Sequence, residues 1–209
     1  MTRGRPREFD TNSALDQALA VFQRDGFEGA SVQALTEAMG ICKPSLYAAY
    51  GNKEALFIAA LRRYTDAQEA HRTALLDGEP DCRRAVALLL HDMVASHARC
   101  QSSSACLIVR ETLGGTAAAH SSEIREALAS AMASGHSTLA ARLVRARNEG
   151  QLTPACDTTA LADYFSAVMS GLSILAKNGA SADAMDRVVQ TAMHAWPEER
   201  SPRIAQRHA

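Results

Sequence analysis

The chain has 209 residues, 47% of them hydrophobic, which is ample for a buried core in one large or two modest domains. Its formal net charge of −1 speaks against a general polyanion binder such as a DNA-compacting protein. Aromatic residues are scarce at 5% while Ala and Leu dominate, a balance that favours helix over sheet and points to an all-α fold. The charge is unevenly spread. Residues 1–9 carry a local +2, and the remaining 200 residues carry −3. Five cysteines at 42, 82, 100, 106 and 156 are odd in number and lack close pairs, which fits reduced thiols better than disulfides or a zinc site. No apolar run approaches the roughly twenty residues that cross a bilayer, so a cytoplasmic protein without membrane contact is expected.

In chain order, residues 1–9 place Arg3, Arg5 and Arg7 on a segment too polar to pack, and a mobile basic arm is expected there. Such arms settle on phosphates or in a minor groove. Residues 31–53 read as two short helices joined at a glycine. Ser31 can cap the first, whose Val32, Leu35, Ala38 and Met39 share a face. Gly40 stops it, because a residue just past a helix end often needs a left-handed backbone. Pro44 is tolerated in the first turn of the second helix, where its missing amide hydrogen has no partner to lose. Leu46 and Tyr50 then face inward, leaving Lys43, Ser45, Tyr47, Ala48 and Ala49 outward. A long donor, a hydroxyl, a phenol and two small residues make a surface that can lie against a groove wall. Lys53 opens the next helix, where its charge adds to the positive end of the helix dipole and attracts a phosphate.

Further helices are expected at about Lys53–Leu76, ended by Asp77-Gly78-Glu79-Pro80, and at about Asp81–Arg99, with an apolar stripe running from Val86 to His97. A shorter one follows Ser102-Ser103-Ser104 and stops at Gly114-Gly115. Another spans about Ser121–Asn148. The last two carry Leu161, Phe165, Val168, Leu172 and Leu175, then Met185, Val188, Val189, Ala192, Met193 and Trp196. Beyond Pro197 the chain is polar, and residues 198–209 are expected to be disordered.

Residues 9–61 resemble the N-terminal domain of the tetracycline-repressor (TetR) family of bacterial transcription regulators. The resemblance covers a first helix with Leu15, Ala18, Leu19, Val21 and Phe22 that stops at Gly26-Phe27, the Ser31 cap, Leu35, and Met39-Gly40-Ile41. It continues through Pro44-Ser45-Leu46-Tyr47, Tyr50 and Lys53-Glu54-Ala55-Leu56-Phe57. Ala48-Ala49 stands where the family often has a bulkier or polar pair. The resemblance implies about nine helices: a three-helix helix-turn-helix domain over 10–52 and a larger helical regulatory and dimerisation domain over 53–197. It implies double-stranded operator DNA as partner, with Lys43, Pro44, Ser45, Tyr47 and Ala48 on the recognition surface and Ser31 and Lys53 on the DNA backbone.

The same resemblance implies a homodimer formed by the last two helices, through Leu161, Phe165, Val168, Leu172, Leu175, Met185, Val188, Val189 and Ala192. Two recognition helices one DNA turn apart then demand a pseudo-palindromic operator. It further implies a small-molecule inducer in a cavity of the larger domain, for which Leu89, Met93, His97, Cys106, Leu107, Arg110 and Phe165 are candidates; the alternative for each is ordinary core. Cys106 carries another reading. Near the start of its helix the dipole can stabilise a thiolate that senses oxidants or electrophiles, as in one branch of the family, or the residue is a small buried hydrophobe. A helical enzyme using Cys106, His97 and Glu111 as nucleophile, base and orienter is the rival from another class. Nothing in the spacing fixes that geometry, so no enzyme, cofactor or metal is assigned.

Overall fold

A computed structural model of the chain describes residues 11–99, 107–113 and 120–197. Among these the elements are α1 (Thr11–Gly29), α2 (Val32–Met39), α3 (Lys43–Tyr50), α4 (Lys53–Gly78), α5 (Cys82–Arg99), α6 (Leu107–Leu113), α7 (Ser122–Asn148), α8 (Thr158–Lys177) and α9 (Ala182–Met193), with no strand. Arg3, Arg5, Arg7, Cys106 and the expected tail at 198–209 lie outside the described residues.

Most starts are set by short polar side chains that take up the free amides of a first turn. Ser31 accepts from Ala34 N at 3.0 Å, Asn52 from Ala55 N at 2.7 Å, Ser121 from Ile124 N at 3.2 Å and Ser181 from Ala184 N at 3.2 Å. Asp81 accepts from Arg84 N at 2.8 Å, so α5 begins at Cys82, one residue after its expected start. The fourth helix runs two residues beyond Leu76. The reason is Arg142 of α7, buried, whose Nε donates to Leu76 O at 2.9 Å and whose Nη2 donates to Pro80 O at 2.8 Å and Glu79 O at 3.3 Å. It takes up carbonyls that the ending helix leaves without amide partners.

Two apolar cores stand end to end. The first holds the head: Ala18, Val21 and Phe22 of α1, Leu35 and Met39 of α2, Leu46 of α3, and Leu56, Phe57, Ala60 and Leu61 of α4. Phe57 meets Phe22 and Phe27 edge to face, with ring centroids 5.0 Å and 5.2 Å apart. Leu107 and Ile108 of α6 and Ile124 and Leu128 of α7 join this core, so a boundary at residue 52 cuts through a shared interior. The second core is built from the end of α4 with α5, α7, α8 and α9. The long helices α4 and α7 contribute to both.

α1 is broken rather than continuous. Gly26 has φ 77° and ψ 173°, a conformation open in practice only to glycine. It frees the carbonyls of the preceding turn. Arg110 of α6 collects them: Nη1 donates to Gln23 O at 2.6 Å, and Nη2 donates to Phe22 O. Its neighbour Glu111, buried, accepts from Phe27 N at 3.4 Å and pairs with Arg110 Nη2 at 3.1 Å. His120 is buried beside them, its Nε2 3.2 Å from Glu111 Oε2 and its ring edge-on to Phe27.

α8 comes nearer to membrane composition than expected from run length, because by length and composition alone it is apolar enough to span. Only 22% of that window is buried inside the protomer, where the helix packs on α7, α5 and α9.

Replacing Gly40, whose φ is 65° with no atom within 4 Å of an added Cβ, should cost only the left-handed penalty of about 1–2 kcal/mol in G40A. G26A should lose more. There the strain of about 1–3 kcal/mol is joined by collision with Glu111 Oε1 at 3.1 Å and Arg110 Nη2 at 3.2 Å. Urea unfolding of the two variants checks this, and equal losses would show that the Arg110–Glu111 clamp does not hold α1.

Candidate functional site

The turn between α2 and α3 is closed by two backbone bonds, Gly40 N to Glu37 O at 3.2 Å and Ile41 N to Thr36 O at 3.0 Å. This is the paired pattern of a helix ending in a left-handed glycine. It sets the direction of α3. Within α3 only Leu46 is buried, with Tyr50 half-buried, and Lys43, Pro44, Ser45, Tyr47, Ala48 and Ala49 are all exposed. Tyr47, at 48% exposure, stands outside the head core. A short helix held by Leu46 and Tyr50 and presenting its other faces to solvent is a surface built to be covered by something else.

Other expected contacts have local partners. Ser45 Oγ lies 3.1 Å from Cys42 Sγ, and this hydrogen bond holds the exposed Cys42 thiol below its ordinary range. Ser31 Oγ serves as the α2 cap. Lys53 Nζ turns back toward the head, 3.4 Å from Glu28 O and 4.6 Å above the Phe27 ring, so a phosphate would compete with a cation–π contact.

A cavity of about 580 Å³ opens between α4, α5, α6, α7 and α8. Of the expected lining residues, Leu89, Met93 and His97 border it. Burial pushes the His97 imidazole below its usual pKa, favouring the neutral ring, and its Nε2 is 3.4 Å from Ser173 Oγ. The other described candidates lie elsewhere. Leu107 points into the head core, Arg110 is committed to the α1 carbonyls, and Phe165 is fully buried against Trp196, at 5.9 Å between centroids. Their immediate neighbours Ile108, Val109 and Ser166 face the cavity instead. Sequence reading missed Arg72, His71 and His136, which also line it.

Two family models match the chain: bacterial regulatory proteins of the tetR family over residues 14–60, and the tetracyclin repressor-like C-terminal domain over residues 82–192. Together they cover well over half of it. The chain belongs to the TetR family. It is a DNA-binding transcriptional regulator. This TetR-family chain is 35% identical to the HTH-type transcriptional repressor ComR of Escherichia coli (strain K12), over 94% of its own length and 93% of that protein. It is 28% identical to the uncharacterized HTH-type transcriptional regulator YezE of Bacillus subtilis (strain 168), over 91% of its length and 97% of YezE. Among solved structures, a cysteine mutant of the TetR family transcriptional regulator CifR complexed with 26bp double-strand operator DNA is 39% identical. Its TM-score is 0.84, covering 92% of this chain and 100% of that one.

Most of the α8 and α9 residues expected to pair across a TetR dimer pack within their own chain. Leu161, Phe165, Leu172, Met185, Val189 and Ala192 are buried in the protomer's own second core, and Val168 and Leu175 pack against it. Only Val188, at 36% exposure, turns outward. The face turned away from that core mixes small residues with larger ones. On α8 it carries Ala160, Tyr164, Ala167, Gly171 and Ile174 at alternating spacings of four and three, and on α9 Ala184, Val188 and Thr191. Of the residues in the rival enzyme reading, Glu111 is held by Arg110 and Phe27 N and His97 sits at Ser173 on the cavity wall, while Cys106 lies outside the described residues.

Leu46 and Tyr47 are adjacent and should behave oppositely. Leu46→Ala opens a cavity under α3 and should destabilise the protein by about 2–5 kcal/mol, whereas Tyr47→Ala should change the unfolding free energy by less than about 0.5 kcal/mol. Chemical denaturation of both variants measures the difference, and comparable losses would mean that Tyr47 is packed.

Proposed function

We propose that this regulator acts as a homodimeric repressor that seats two copies of α3 in a pseudo-palindromic operator and leaves it when a small molecule fills the cavity. The observation that carries the reading is α3 itself, anchored by Leu46 and Tyr50 with Lys43, Ser45, Tyr47 and Ala48 exposed on the outside. Lys43 supplies a charge for a phosphate or a guanine edge, Tyr47 a phenol, and Ala48 the close approach that a larger residue would prevent. Arg3, Arg5 and Arg7 add phosphate contacts from the arm, and Ser31 and Lys53 flank the groove. The operator complex of CifR, with 39% identity to this chain, supports the same mode. Dimerisation is supported by the uncovered faces of α8 and α9, which a second copy related by a two-fold axis would bury. Their Ala and Gly positions permit close helix approach.

Footprinting on the DNA upstream of the gene itself and of its neighbours tests the reading directly, since protection of a symmetric sequence is expected and uniform coverage would overturn it. On that sequence Lys43→Ala and Tyr47→Ala should each weaken binding by about 1–3 kcal/mol per contact. The lysine change should also reduce the slope of log affinity against log salt by about 1 for each phosphate lost. Tyr47→Ala should leave the slope alone. Fluorescence anisotropy at several salt concentrations separates the two, and an unaltered slope in Lys43→Ala would assign that residue to a base edge. Ala167→Arg, on the free face of α8, should give a folded monomer in sedimentation without operator binding. A dimer that survives this change would place the interface elsewhere.

A further inference from the structure

The geometry points to a carboxylate as the group that the cavity recognises: the effector is a monoanionic amphiphile whose acid head sits on Arg72 and whose apolar body lies over Met93, Ile108, Val109 and Met169. This rests on the reading of the cavity as the effector site and adds its chemistry. The cavity falls in the range of about 300–1,000 Å³ that holds small ligands, and its charges do not balance. Asp92 is the one acidic residue among the described residues that line it, and its carboxylate is taken by His71 at 2.8 Å. Glu69, one turn from Arg72 on α4, is turned to the hydroxyls of Ser134 and Thr138 on α7. His136 pairs with Asp163 at 2.8 Å, and His97 is driven toward its neutral form. Arg72 is left without an anionic partner among the described residues, half-buried on the cavity wall.

Its placement is built. The guanidinium lies against the backbone of α7 at Gly135, where an added Cβ would be 3.3 Å from both Nη1 and Nη2 and 3.4 Å from Cζ. A glycine inside a helix costs roughly 1 kcal/mol relative to alanine, and here it lets the guanidinium come closer than it could against a side chain without shifting by a few tenths of an ångström. Held flat, the planar fork offers two parallel donors, the geometry that a carboxylate fits bidentately. Lysine could supply the charge without that match. Ser166 of α8, also on the cavity lining, has its Oγ buried without a hydrogen-bond partner, a free hydroxyl for a polar atom along the ligand. The apolar part of the lining is rich in methionine, which adapts to varied shapes; Gln and Ser side chains complete it, and Arg99, exposed, adds a second positive charge. A cation would face an uncompensated guanidinium in a partly desolvated space, and a neutral amphiphile would leave it unpaired.

Calorimetry on the full-length protein with octanoate and cinnamate, beside octanamide, cinnamamide and octylamine, tests the charge. The two carboxylates should bind and raise the unfolding temperature, with the amides and the amine at least tenfold weaker. Arg72→Met should lower octanoate affinity at least tenfold with the unfolding midpoint of the free protein retained, Arg72→Lys should keep part of it, and Gly135→Ala should weaken it by displacing the fork. Octanamide or octylamine binding as well as octanoate overturns the assignment, as does an Arg72→Met protein that binds octanoate like the parent, or no carboxylate binding at millimolar concentration. Anisotropy on the footprinted operator, run in parallel, separates the two readings. Carboxylate binding at Arg72 without release of DNA upholds the site and overturns its role as effector site, whereas release by octanamide independent of Arg72 does the reverse.

Discussion

Helix ends buried in a protein leave carbonyls that need donors, and in this chain two arginines on neighbouring elements meet that need. Arg110 gathers the carbonyls freed by the Gly26 break in α1, and Arg142 those at the end of α4. Bonds to a charged donor are worth about 1.5–3 kcal/mol each, and several converge on each guanidinium. Their consequence is positional. Arg110 fixes the angle at which α1 meets α2, and so the orientation of the recognition helix. Arg142 fixes where α4 stops and α5 turns back. Glu111 completes the first clamp by neutralising Arg110 and accepting from Phe27 N, so a buried charge is paired rather than stranded.

The clamps join two cores that would otherwise touch only through shared helices. α4 gives Leu56, Phe57, Ala60 and Leu61 to the head and Leu76 to the body, and α7 gives Ile124 and Leu128 to the head and Leu139 and Leu143 to the body. Neither helix can tilt in one core without disturbing the other, because close-packed interiors transmit displacement rather than absorb it. α6 is the third link and the shortest.

The helix-turn-helix was legible in the sequence because every signal that makes it is local. Ser31 caps, Gly40 takes the left-handed turn, Pro44 sits in a first turn, and Leu46 and Tyr50 mark the inner side of α3, all within twenty residues. The helix start at Ser121 was legible for the same reason. The faces of α8 and α9 were not, since each helix carries two apolar stripes and periodicity cannot say which meets the protomer and which meets a copy. Packing settles it in the structure: Leu161, Phe165 and Leu172 fill the interior, and Tyr164, Ala167 and Ile174 are left outside. Arg110 and Phe165 were read as cavity residues from their place on amphipathic helices. One residue, a rotation of about 100°, separates each from the cavity lining at Val109 and Ser166; α6 is too short for periodicity to fix its face, and on α8 the core takes the larger Phe165. Arg72 escaped notice because its meaning depends on Gly135, 63 positions away on another helix.

That rotation also explains how the cavity reaches the head. In α6, Ile108 and Val109 face the cavity while the next residue, Arg110, holds the α1 carbonyls. Wall and clamp are consecutive on one turn of helix, so a ligand that moves the wall by a fraction of an ångström loads the hydrogen bonds of Arg110 to the α1 carbonyls. Such bonds lose strength steeply with misalignment. A ligand can shift the head only by as much as it prefers one position of α6 over the other, and tight binding alone achieves nothing. What counts for an effector of this protein is therefore less the contact it makes with Arg72, which sits on α4 against α7, than the bulk it presses against Ile108 and Val109. Head group and body have separate tasks: the acid gives affinity, and the apolar body acts on α6.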